Sequence, residues 1–218
     1  MIKRTLQLMV VLALLPLAVS SYAQIERYVA GTHYTELRNP VNTRDPSKVE
    51  VLEAFWYGCN HCFRFEPLVN DYKVNKPDYV DFVLFPAVWN GLMQIHAQAF
   101  YAAEALDALD KLHEPIYEAI NLQGNRLQSE RQIGDLFVEH GIERAAFERA
   151  FNSFAVRTRV NQAESRMSDY QIRSTPNIVV NGKYLITTGT AVPTQREMLE
   201  VVEFLVEKER QAMAATGD

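Results

Sequence analysis

Two cysteines carry the first chemical signal. They are the only two in the chain and stand together as Cys59-Asn60-His61-Cys62. A disulfide across two intervening residues closes almost no loop, so it removes little entropy from the unfolded chain. The spacing is poor for a staple and good for exchange, because each thiol can attack or resolve a bond made by the other. A small structural bridge and half of a zinc site are the alternatives. Zinc takes three or four protein ligands. His33, His96, His113 and His140 are scattered, and His113 and His140 lie in polar helical stretches that read as solvated. The pair therefore points to dithiol–disulfide redox chemistry, with no metal and no organic cofactor.

The surroundings of the pair sharpen the reading. An apolar strand ends just before Cys59, and a helix begins there. Free N–H groups and the dipole at a helix N-terminus stabilise an anion. Cys59 is thus expected as the low-pKa thiolate, and Cys62, one turn deeper, as the buried resolving thiol. His61, between them, adds to the effect if protonated or donating; the alternative is a solvated loop histidine. Glu53 interrupts the apolar run VEVLEAFWY six residues before Cys59. A buried, unpartnered carboxylate is costly, so Glu53 reads as a proton acceptor for the resolving thiol, against the alternative of a strand-end acid in solvent. Farther on, Ser174-Thr175-Pro176 precedes a hairpin. Proline cannot sit inside a central ladder, so it opens the strand; spacing leaves its peptide isomer undecided.

The elements that must position these groups follow from pattern. Val49–Tyr57 reads as a central strand covered on both faces, and 79–88 (YVDFVLFPAV) as a second buried strand. A short first strand is expected within Tyr28–Leu37. Phe63, Phe65, Leu68, Val69 and Tyr72 continue the active helix, with a kink expected at Pro67. Ile95, Ala99, Ala102, Ala103, Leu106 and Leu109 then form one helical face. Ser129 with Gln132 is a capping box, Gly141 a helix stop, and helix is expected from about Glu143 to Tyr170. Asn177–Val180 and Tyr184–Thr187 flank an Asn181-Gly182 turn. Thr194 with Glu197 caps a last helix whose core face is Met198, Val201, Val202, Leu205 and Val206.

Composition is that of a globular protein: 218 residues, 48% hydrophobic and 22% charged, with a formal charge of −5. The acidity argues against nucleic-acid binding. Lys3 and Arg4, the apolar run Leu6–Val19 and the small residues of Ser21-Tyr22-Ala23 form a cleavable export signal over 1–23, cut after Ala23. An uncleaved anchor is the alternative. Removing it takes two of 22 basic residues and none of 27 acidic ones, leaving 195 residues with a charge of −7. An exported, oxidising compartment suits a redox dithiol.

Phe55-Trp56-Tyr57-Gly58-Cys59-Asn60-His61-Cys62, with Phe65-Glu66, Glu53 upstream and Thr175-Pro176 downstream, resembles the DsbA family of periplasmic thiol:disulfide oxidases. The resemblance spans residues 25–212. It implies an α/β thioredoxin fold, a central mixed sheet flanked by helices, with an inserted all-helical subdomain. The thioredoxin-fold parts would be 24–90 and 171–218, and the insertion 91–170. It further implies a nucleophilic Cys59, a resolving Cys62, a cis-proline at Pro176 in a substrate-facing loop with Thr175, and a buried acid at Glu53. Reduced or unfolded exported polypeptides would be the substrates of a monomer in the periplasm. Reoxidation would fall to a quinone-linked membrane oxidase resembling DsbB. Two departures stand out. Asn60-His61 replaces the usual Pro-His, and the 79–88 strand lacks the base that many members place near the buried acid. Without that base, the pKa of Glu53 should rise further. A disulfide isomerase or reductase of the same fold, and a non-catalytic chaperone module with an inert bridge, are the other readings. Exported isomerases resembling DsbC carry an N-terminal dimerisation domain, for which residues 24–48 leave little room.

Overall fold

A computed structural model describes residues 27–216. The export signal expected over 1–23 lies outside the described residues. Five strands form one sheet: β1 (Thr35–Glu36), β2 (Val49–Phe55), β3 (Val80–Pro86), β4 (Asn177–Val180) and β5 (Tyr184–Ile186), in the order β1-β5-β4-β2-β3. β2 runs parallel to β3 and antiparallel to β4, and all seven of its residues are buried. β3 is an edge strand, which corrects the expectation of a second fully buried strand. Its residues 81–84 are only half-covered, because no strand pairs on its outer side. The first strand shrinks to two residues paired with β5, joined by an isolated Ala30–Tyr34 bridge.

Helix α1 (Asn60–Asn75) links β2 to β3 and runs through Pro67. Between β3 and β4 come α2 (Gly91–Ala105), α3 (Leu109–Asn121), α4 (Glu130–Glu139), α5 (Arg144–Phe151) and α6 (Phe154–Asp169). The chain ends in α7 (Gln195–Thr216). Val49 and Val51 share a core with Phe65, Val69 and the α7 face of Met198, Val201, Val202 and Leu205. Leu52 and Ala54 point into the other core, shared with Phe100, Leu112, Tyr117 and Phe137 of the helices that follow β3. The sheet is thus buried on both faces, which is why β2 reads as a nearly continuous apolar run. Among the described residues no helix is long and apolar enough to cross a membrane.

Local chemistry sets most boundaries. Thr194 and Glu197 exchange hydrogen bonds as a capping box (3.1 and 3.0 Å). Ser129 caps α4 through the Gln132 N–H at 3.3 Å. Gly141 takes φ 79 after α4. Asn181 (φ 49) and Gly182 (φ 61) turn the β4–β5 hairpin. A Cβ at Gly182 would also strike the Val41 carbonyl. The helix expected over 143–170 is two helices, because Ser153 accepts the Val156 N–H at 3.1 Å and starts α6 anew. Leu109 likewise belongs to α3, cut off from the α2 face by Asp107 at φ 52.

Candidate functional site

Cys59 is the N-cap of α1, with extended backbone, and its Sγ accepts the Cys62 N–H at 3.2 Å. The turn before it is closed by the Cys59 N–H donating to the Trp56 carbonyl at 2.9 Å. Cys59 is half-buried, while Cys62 is fully buried. Hydrogen bonding from the Cys62 thiol brings the Cys59 pKa down to about 6, helped by the Thr175 side chain and the Cys62 and His61 backbone, against its own partial burial. Burial, then the Cys59 sulfur beside it, pushes the Cys62 thiol far up. One thiolate stands at the surface and one protonated thiol donates to it from below.

The Thr175–Pro176 peptide is cis, as the resemblance implies. The Thr175 carbonyl lies 3.4 Å from Cys59 Sγ. Two segments 116 residues apart therefore meet at the outer sulfur. Asn60 and His61 are exposed in the first turn of α1. The His61 imidazole faces outward, with Nδ1 3.1 Å from the Arg64 guanidinium. It is the His61 backbone N–H that bonds to Cys59, as expected where first-turn amides point at the N-cap side chain. The His61 carbonyl accepts from Gln195 at 2.7 Å, tying the start of α7 to this turn.

Glu53 lies fully buried in β2, and neither carboxylate oxygen has a hydrogen-bond partner. Burial holds its pKa well above the ordinary value, reinforced by the Glu66 charge and opposed by Lys73. The residue beside it on β3 is Leu84. The base missing from that strand is therefore missing at the position adjacent to the acid, and the cation that acts on Glu53 comes from α1 instead.

Three further residues join the site to which the sequence reading gave no role in it. Glu66, one face of α1 away, borders a groove of about 670 Å³ with Phe63, Leu84, His113 and Tyr117. His113 is not solvated as its polar neighbours suggest. It is buried, with Nδ1 2.8 Å from the Tyr57 hydroxyl and Nε2 3.3 Å from Glu66. The α3 helix turns this one polar residue inward, and the Leu112, Ile116 and Ala119 face of the same helix goes with it. Tyr117, also fully buried, leaves its hydroxyl without a partner. Only Glu66, adjacent to Phe65 in the quoted motif, carried a usable signal. His140 is half-buried and bonds its own helix at Leu136. Among the described residues no group of three or more His, Cys, Asp or Glu side chains is placed to hold a metal ion.

The profile of the DSBA-like thioredoxin domain matches residues 80–199. The thiol:disulfide interchange protein DsbA of Pseudomonas aeruginosa is 36% identical over 190 residues, covering 87% of this chain and 90% of that protein. Its counterpart from Azotobacter vinelandii is 38% identical over 182 residues, 84% of this chain and 85% of that one. The crystal structure of Pseudomonas aeruginosa DsbA superposes with a TM-score of 0.82 at 35% identity, over 86% of this chain and 97% of that one. DsbA from Xylella fastidiosa gives 0.79 at 28% identity, over 84% and 98%.

Proposed function

The chain belongs to the DsbA family of thiol:disulfide interchange proteins, and from that membership we propose that Cys59 and Cys62 are its redox pair, used as an oxidant of exported polypeptides. The protein is a thiol:disulfide oxidoreductase of thioredoxin fold. In the oxidised state a substrate thiolate attacks Cys59 Sγ, the Cys59–Cys62 bond breaks, and Cys62 leaves and takes a proton. A second substrate thiolate then attacks the substrate sulfur of the mixed disulfide and expels Cys59 as a thiolate. Two electrons pass from substrate dithiol to enzyme, and the product is a substrate disulfide.

The observation that carries this reading is the asymmetry of the pair: a half-exposed, acidified Cys59 over a buried, protonated Cys62. Stabilising the outer thiolate stabilises the reduced enzyme and makes its disulfide more oxidising. Glu53, fully buried with its pKa raised by that burial, is the proton acceptor and donor for Cys62. Thr175 and Pro176 face the incoming substrate, while Asn60 and His61 form the outer lip. The compartment is the periplasm, and a quinone-linked membrane oxidase resembling DsbB restores the disulfide.

A Cys62→Ser variant should trap substrates as mixed disulfides through Cys59, mapped by mass spectrometry. Preferential alkylation of Cys62 in the reduced wild-type protein would reverse the assignment. Equilibration with glutathione separates an oxidant, which is almost wholly reduced by the glutathione pool, from a reductant of the same fold.

A further inference from the structure

Trp56 stands three residues before Cys59, and its backbone touches both sulfur-bearing residues. Its carbonyl accepts the Cys59 N–H at 2.9 Å, and a backbone hydrogen bond joins it to the Cys62 thiol. Its indole lies directly over Gly58, where an added Cβ would run into the ring. The far edge of the indole is held by another element altogether. Trp56 Nε1–H donates to Nδ1 of His96 on α2 at 3.0 Å, and the two rings lie 6.1 Å apart at 25°. His96 is 2% exposed. Its Nε2 is 3.0 Å from the Arg126 carbonyl. A carbonyl only accepts, so Nε2 carries the hydrogen and Nδ1 is left to accept from the indole. The imidazole is therefore a neutral, fixed strut between the α3–α4 connection and the turn that carries the thiols. Thiol–disulfide exchange itself makes no use of it.

We propose that His96 is a positioning residue of the redox site: by fixing the Trp56 indole it holds the Trp56–Cys59 turn in the geometry that stabilises the outer thiolate. The proposal rests on Cys59–Cys62 being the redox pair. With the strut gone, the indole is free to swing off Gly58 and the turn is free to widen. The N–H groups of His61 and Cys62 then sit farther from the Cys59 sulfur. The thiolate of the reduced form loses more than the uncharged disulfide, so the enzyme becomes a weaker oxidant.

The test compares His96→Leu with His96→Asn in the full chain. Asparagine places its Oδ1 near the position of Nδ1 and still accepts from Trp56; leucine does not. The readouts are the redox equilibrium with glutathione, the pH titration of thiolate absorbance, and thermal stability. Weakening one charge-assisted hydrogen bond predicts a roughly three- to tenfold shift of the equilibrium toward the oxidised enzyme for His96→Leu. The Cys59 titration moves up with it. His96→Asn should restore both. Equal shifts in the two variants, or lowered melting temperatures with neither redox readout moved, would overturn the proposal and leave His96 a packing residue. Should His96→Leu fail to fold, Trp56→Phe keeps a ring over Gly58 and removes the donor. It should reproduce the shift, and an unchanged equilibrium there refutes the strut. A wild-type protein whose Cys59 and Cys62 show no glutathione-dependent change would instead sink the underlying redox assignment, before any variant is compared.

Discussion

Replacing Glu53 by Gln removes a titration while nearly preserving shape, and the structure fixes what should follow. The Glu53 carboxyl is fully buried, has no hydrogen-bond partner, and has its pKa raised well above 4.5 by that burial. In the unfolded chain the same group titrates at an ordinary value. Between the two values the native state holds one proton more than the unfolded state. The slope of unfolding free energy with pH is then negative, about 1.4 kcal/mol per unit for one proton. The contribution is fully present below the unfolded pKa and is lost as pH rises toward the folded one. From pH 5 to pH 7 the stability of the wild type should therefore fall more steeply than that of Glu53→Gln. The absolute stability of the variant is a separate matter, since a buried amide brings its own unpartnered donors. The slope is the readout. Urea unfolding of the oxidised proteins at pH 5, 6 and 7 measures it without interference from the Cys59 thiolate. Parallel stability curves for the two proteins would show that Glu53 is hydrated and ionises normally, and would remove the proton acceptor from the mechanism.

Leu84→Lys places a base at the position paired with Glu53 across the β2–β3 ladder, and should flatten that same slope by favouring the ionised carboxylate; a slope like the wild type's would mean that the new ammonium points away. The Cys59 pKa, lowered to about 6 from 9.0, gives the opposite sign: the stability advantage of reduced over oxidised protein should build up as pH rises from about 6 toward 9 and be lost as pH falls through about 6, measurable by paired thermal melts with and without reductant across that range. Ser153→Ala removes the cap that separates α5 from α6 and should cost about 1 kcal/mol, within the range of about 0.5–2 for such caps. It should leave the glutathione equilibrium unchanged, because Ser153 lies outside the redox site.

Much of this molecule is legible in its sequence because its strongest signals are local. A thiol pair at a strand-to-helix junction, an acid inside an apolar run, a capping box at Thr194 and a turn at Asn181-Gly182 each depend on residues a few positions apart. The structure places every one of them as read. What was not legible depends on which way a helix faces. His113 looks solvated among Lys111, Glu114 and Glu118, yet its side of α3 is the side pressed against Tyr57 and Glu66. A polar helix pattern says that one face is wet without saying that every polar residue lies on it. The edge position of β3 escaped for a related reason. An apolar strand covered by helices on its faces reads the same whether one or both of its edges are paired.

The buried polar residues share one location. Glu53, Glu66, Tyr57, His113 and Tyr117 cluster behind Cys62, and Trp56 with His96 stand on the side of the turn held by α2. Burial of ionisable groups without full pairing costs stability, and a chain with this much apolar core could have filled those positions with leucine, as it did at Leu84. Leu84 sharpens the point. With no cation beside it on β3, Glu53 is left to Lys73 of α1, which opposes the effect of burial without overcoming it. Burial thereby favours the protonated carboxyl, the form that the proposed mechanism needs when Cys62 leaves the disulfide. A base restored at that position would favour the ionised carboxylate and so reduce the proton supply proposed for Cys62. On the proposed mechanism, an acid left without a cation beside it on β3 costs stability and favours proton supply to Cys62.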